Sequence, residues 1–169
     1  VYGTWAASGE IDIVEYRGQA ALGGTVEGSL HYGAAWPANA YTGSGRVAVP
    51  GTDFSQAPHT FALEWVPDAA SGRPALMRWL VDGEELHRQR LDISWSVGPA
   101  SPYTQAGQPW DQRFHLVLNL AVGGGFFPPA EFGGFASEAQ WDAAVATWQR
   151  PRLEVEHVKL WRWPPPGYS

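Results

Sequence analysis

The sequence predicts an all-β protein, a sandwich of two antiparallel sheets, and three observations lead there. Several segments alternate apolar and polar residues with the period of two that a half-buried strand requires. Turn-formers are abundant, with 20 glycines and 14 prolines, a load that suits many short strands rather than long helices. Helical character is confined to SEAQWDAAVATW, from Ser137 to Trp148, and its lack of a sustained period limits it to a turn or two. At 169 residues the chain can bury one core, and it is read as a single domain, residues 1–169.

The elements follow in order. SGEIDIVEYRG, Ser8 to Gly18, is the first strand; TVEGSLHYG is the next, with Glu27, Ser29 and His31 on one side and Val26, Gly28, Leu30 and Tyr32 on the other. HTFALEWVPD sets Phe61, Leu63 and Trp65 in phase, and Pro67 and Asp68 close it. ALMRWLVDGEELHRQRL reads as a hairpin whose Asp82-Gly83 pair suits a type I′ turn. RFHLVLNLAVGG puts Phe114, Leu116, Leu118 and Leu120 on one face and His115, Val117, Asn119 and Ala121 on the other, before three glycines end it. LEVEHVKLWRW is the last strand, stopped by the prolines at 164 to 166. Loops are expected at 34–46, 69–74, 94–110 and 123–134, and the in-phase Trp65 and Trp79 belong to the core.

Composition narrows the partner. A net charge of −6 argues against nucleic acid and against an anionic membrane surface. No segment approaches the roughly 18 consecutive apolar residues of a membrane span, so no membrane insertion is expected. The absence of cysteine excludes a disulfide framework and thiolate metal sites. Ten tryptophans exceed what a core of this size requires, and rings lining a groove that stacks on flat apolar faces of a neutral ligand account for the surplus.

The first strand carries Glu10, Asp12 and Glu15 within six residues. Such acids can be a solvated face that discourages edge pairing. Yet acids are poor strand formers and like charges repel, so their clustering asks for a compensating role. In a regular strand Glu10 and Asp12 share a face and Glu15 points away. One extra residue near Ile13 or Val14, a β-bulge, would return Glu15 to the face of the other two, and bulges are frequent beside active sites. Two carboxyls brought to about 5 Å are what retaining glycosidases use.

GTWAASGEIDIVEYRG resembles the signature of glycoside hydrolase family 16, whose bulged members carry E-x-D-x-x-E, and is most similar to its laminarinase-like branch of endo-β-1,3-glucanases and β-glucan-binding proteins. LHYG, HTFALEWVPD, RWLVDG, WDQRFHLVLNLAVGG and LEVEHVKLW follow in the family's order. The resemblance implies a jelly-roll sandwich with a concave cleft, and a retaining endo-acting hydrolase of β-1,3-glucan. In it Glu10 is the nucleophile, Glu15 the general acid/base, and Asp12 the hydrogen-bonding neighbour that tunes both. It implies substrate contacts from His31 and Asn119, for which a core histidine and a structural amide are the alternatives. Sugar stacking falls to Trp5, Trp36 and Trp110, each in or beside a loop near a family motif.

The resemblance also implies no cofactor. Family members often hold a structural calcium partly through an Asp of the final strand, where this chain has Glu156, and no metal-ligating motif is present. The partner implied is a polysaccharide, and the location extracellular or secreted. In the family a substantial amino-terminal half precedes the acidic strand, whereas here nine residues precede Glu10. The chain therefore corresponds to the C-terminal portion of the family domain, and a preceding segment or second chain is expected to complete the sandwich. Besides hydrolysis, two other roles are open: β-glucan recognition without cleavage, and a structural subunit in which the acids are relics.

Overall fold

The computed structural model describes residues 1–18, 22–121, 138–149 and 152–162. They divide into two compact units, Val1–Phe114 and His115–Ser169. The first unit holds every strand described: β1 (Glu10–Tyr16), β2 (Thr25–Gly33), β3 (Asn39–Gly43), β4 (Val47–Ala48), β5 (Phe61–Pro67), β6 (Pro74–Val81) and β7 (Glu84–Arg90). They form two antiparallel sheets. One has the order β1-β2-β3, with β4 also pairing β2, and the other has the order β5-β6-β7. The fold is all-β, as the alternation predicts.

The alternation of β2 decides which face is buried. Val26, Gly28 and Leu30 are buried on the core side, while Glu27, Ser29 and His31 lie opposite. In β6, Met77, Trp79 and Val81 are buried, and the intervening Arg78 points outward to Glu64 and Glu85 of its two neighbouring strands. Leu30 of the first sheet and Met77 and Trp79 of the second meet in one core with Leu91, Trp95, Tyr103 and Trp110. Burial of these large apolar groups is the main force holding the sheets together, at about 1.5–3 kcal/mol per Leu- or Met-sized side chain.

The β6–β7 hairpin turns on Asp82 and Gly83, both with positive φ (51° and 90°). A type I′ turn requires this backbone at both central positions, and Asp-Gly is among the few pairs that adopt it readily. Asp82 also accepts from Thr60 N–H at 2.9 Å and lies 2.7 Å from His59 Nδ1, fastening the turn to the start of β5.

Three expectations are corrected. The stretch 34–46, read as a loop, contains β3, and β4 follows it at Val47–Ala48. Residues 113–121 and 152–162 form no strand, although both alternate. Leu116, Leu118, Leu120, Leu153 and Leu160 are exposed. Alternation specifies which face a strand would bury, but a strand exists only when a neighbouring edge supplies ladder hydrogen bonds, and no described strand pairs with either segment. In the second unit the helix α1 (Glu138–Val145) is eight residues long, at the upper end of the turn or two expected. The expected loop at 123–134, the glycines after Val122 and the prolines at 164–166 lie outside the described residues.

Candidate active site

The acidic strand contains the bulge. Glu10, Ile11 and Asp12 of β1 pair with His31, Leu30 and Ser29 of β2, and pairing resumes with Glu15 opposite Glu27 and Tyr16 opposite Val26. Ile13 and Val14 together therefore face the single residue Gly28. This one-residue insertion puts Ile11 and Tyr16 on the side of Leu30 and Val26, the core side. Glu10, Asp12 and Glu15 are left on the opposite face with His31, Ser29 and Glu27.

Asp12 is the most heavily bonded of the three acids. Its carboxylate accepts from Ser29 Oγ at 2.6 Å and lies 3.3 Å from His31 Nε2. Ser29, itself buried, also lies 3.4 Å from Glu15 Oε2, so one hydroxyl bridges the second and third acids. Glu10 accepts from the indole N–H of Trp5. The backbone carbonyl of Asp12 accepts at 2.9 Å from the indole N–H of Trp79, which arrives from the other sheet.

These contacts set the protonation of the face. Burial pushes the Glu15 carboxyl above the ordinary glutamate range, and the negative charges of Asp12 and Glu27 push it further the same way. His31 and the Ser29 hydroxyl oppose them. His31 is raised by its hydrogen bond to Asp12, against the opposing effect of burial, and then by the charges of Asp12, Glu10 and Glu15. The result is a carboxyl that retains its proton to a higher pH beside a cation-favouring imidazole.

Aromatic rings surround the acids. Trp5 lies 5.8 Å from the His31 ring, and Tyr41 of β3 stacks on that imidazole at 5.6 Å and 23°. Trp5, Trp36 and Tyr41 are 49%, 69% and 66% exposed, large flat faces open to solvent. The loops carrying the two tryptophans are joined by the Trp36 N–H donating to the Trp5 carbonyl at 3.0 Å.

The structure thus brings together Glu10, Asp12, Glu15, His31 and Trp5, with Trp36 on the adjoining loop. Trp110 is a correction: it is 0% exposed, packed in the core against Trp95 and Phe114, so it offers no face to a sugar. Asn119 is an exposed residue of the second unit. Tyr41 and Glu27 were missed. Tyr41 sits in a segment whose strand the alternation does not reveal, while the position of Glu27 opposite Glu15 follows only once the bulge sets the register.

Among the described residues one group offers metal-ligand geometry, Glu10, Asp12 and His31, with one ligand atom each within 4.8 Å of the others. Asp12 and Glu10 are already engaged by Ser29 and Trp5. No helix among the described residues is long and apolar enough to cross a membrane.

Comparison with known proteins gives the site a context. The chain is 40% identical to a glucan endo-1,3-beta-glucosidase of Cryptopygus antarcticus, over 96% of this chain and 52% of the relative. It resembles a laminarinase-like group. The chain is 35% identical to a beta-1,3-glucan-binding protein of Penaeus monodon, over 95% of this chain and 51% of the relative. To a beta-glucanase of Rhodothermus marinus it is 31% identical, over 94% and 46% respectively. The chain therefore spans about half the length of these curated relatives. No family model matches it.

Proposed function

We propose that the chain is the C-terminal portion of a family 16 catalytic domain, a jelly-roll retaining endo-hydrolase of β-1,3-glucan. The observation that carries this reading is the bulge, which sets Glu10 and Glu15 on one face with Asp12 between them. Glu10 attacks the anomeric carbon while Glu15 gives its proton to the departing glycosidic oxygen, leaving a glycosyl ester on Glu10 and a free chain end. Glu15, now ionised, takes a proton from water, the water attacks the same carbon, and Glu10 leaves as a carboxylate. Two displacements retain the configuration.

The surroundings suit the roles. The raised Glu15 is the acid that must arrive protonated. Asp12, held by Ser29 and His31, lies between the two glutamates on the same face. In this reading Trp5, Trp36 and His31 contact sugar, the rings against pyranose faces and the imidazole through hydrogen bonding. Asn119 enters the reading on resemblance alone. The ligand is an extracellular polysaccharide and the protein secreted. A preceding segment or second chain completes the sandwich, the whole forming one domain.

Relatives named glucan endo-1,3-beta-glucosidase and beta-glucanase support hydrolysis. A relative named beta-1,3-glucan-binding protein supports a second reading, recognition without cleavage. Release of reducing ends from laminarin separates the two. Hydrolysis that disappears in Glu10→Gln supports the enzyme; hydrolysis that survives the substitution rejects it. Tight laminarin binding with no reducing ends released favours the binding protein.

A further inference from the structure

We propose that Trp79 is a positioning residue of the acidic strand: its indole, reaching across from the other sheet, holds the bulge that turns Glu15 onto the face of Glu10 and Asp12. The proposal rests on the reading of those glutamates as the catalytic pair. Three features from three strands coincide at one point. β1 carries its extra residue between Asp12 and Glu15, where the ladder with β2 is interrupted. Trp79 of β6, the central strand of its sheet, donates its indole N–H to the Asp12 carbonyl at 2.9 Å, at the edge of that interruption. Gly28 is the β2 residue facing the bulge, and a Cβ there would lie 2.4 Å from Trp79 Cδ1 and 2.7 Å from its Nε1.

The glycine is the telling part. Gly28 is not among the residues of positive φ, so its backbone does not demand glycine. What demands it is the indole, which occupies the volume a side chain would fill. A tryptophan present only to fill the core needs neither a bare backbone opposite it nor a bond to the bulged strand. Here the ring is buried in the core, enters over Gly28 and ends on the carbonyl at the bulge. Asp12 is the last residue paired with β2 before the ladder is interrupted, and the indole bond to its carbonyl adds an anchor from the other sheet. Trp79 thereby fixes the peptide after Asp12, from which the chain turns to present Glu15.

Trp79→Phe keeps a buried ring and removes the N–H. Asp12, Glu27 and His31, the charged groups facing Glu15, are untouched. Glu15 then relaxes from its half-buried place, so its carboxyl titrates closer to the ordinary glutamate range. On β-1,3-glucan, kcat falls by about tenfold to a hundredfold, as a misplaced group of about 1 Å produces, while KM stays within about twofold. The basic limb of the pH profile moves to lower pH. Gly28→Ala drives a methyl into the indole and gives the same signature, and the double variant loses less than the two single effects combined.

Carboxyl NMR titration of Glu15 in wild type, Trp79→Phe and Gly28→Ala decides the matter without substrate. A wild-type protein that hydrolyses no glucan refutes the catalytic reading, and the titration still judges the positioning role. A downward shift in the variants supports it. If Trp79→Phe does not fold, Gly28→Ala is read alone. A Glu15 titration unchanged in the folded variants, with only the melting temperature lowered, overturns the proposal, because the indole is then a core ring that bonds the nearest carbonyl.

Discussion

Tyr103→Phe removes one oxygen atom and should destabilise the first unit severely. The Tyr103 hydroxyl donates to the Ala7 carbonyl at 2.8 Å and accepts from the Gly33 N–H at 2.9 Å, both in buried surroundings. It thereby fastens the segment leading into β1 to the end of β2, the two places from which Trp5, Glu10 and His31 project. Phenylalanine fits the space and leaves two buried backbone groups unpaired. At about 1–3 kcal/mol for each group, the loss comes to about 2–6 kcal/mol, a large share of the roughly 5–15 kcal/mol that keeps a domain folded. Urea unfolding at pH 7, followed by near-ultraviolet circular dichroism, should show the midpoint falling by about 1 M or more. The pH dependence supplies a second check. Burial is the main cause pushing the Tyr103 hydroxyl up to about 12. The folded state therefore keeps this proton where the unfolded chain has lost it, and the contribution of Tyr103 to stability declines as pH rises from about 10 towards 12. The gap between wild type and Tyr103→Phe should narrow over that window. A loss under about 0.5 kcal/mol at pH 7, the size of an ordinary surface substitution, would refute the reasoning.

Three further substitutions probe the site. Because burial and then Asp12 and Glu27 raise Glu15, stability falls as pH rises from the unfolded-state pKa of this glutamate through its folded value. Glu15→Gln should accordingly be more stable than wild type at neutral pH, with the gain vanishing in acid, and should hydrolyse glucan about 10²–10⁴-fold more slowly. A neutral-pH stability below wild type in urea titrations would contradict the first half. Glu27→Gln removes a negative charge opposite Glu15 and should move the basic limb of the pH–rate profile to lower pH; an upward move would count against the electrostatic account. Trp36→Ala removes a ring that is mostly exposed, so KM for glucan oligomers should rise about twofold to tenfold, matching about 0.5–1.5 kcal/mol of ring contact, with unfolding unchanged.

The most informative feature of the sequence was a misfit. Glu15 stands out of phase with Glu10 and Asp12, and the observed register supplies the one extra residue that the phase requires. The hairpin was equally legible because Asp82-Gly83 satisfies a local backbone demand. Legibility ended where structure depends on distant partners. β3 is a short, polar strand whose NAYTG has no apolar face, so its existence rests on pairing with β2, and Tyr41 was overlooked with it. Trp110 sits among loop residues, but position in a loop does not report burial, and Trp95, Tyr32 and Phe114 enclose it. The leucines after Phe114 alternate as strictly as any in the chain and form no strand, since period alone provides no edge to pair with.

The central claim is that one kinked strand places two carboxyls to work in succession on a single sugar carbon. Proton NMR of laminarin during the first minutes of hydrolysis, before mutarotation mixes the anomers, tests it most directly. The account predicts that newly formed reducing ends appear first as the β anomer, and that Glu10→Gln forms none. Initial appearance of the α anomer, or unchanged product formation by Glu10→Gln, would contradict it.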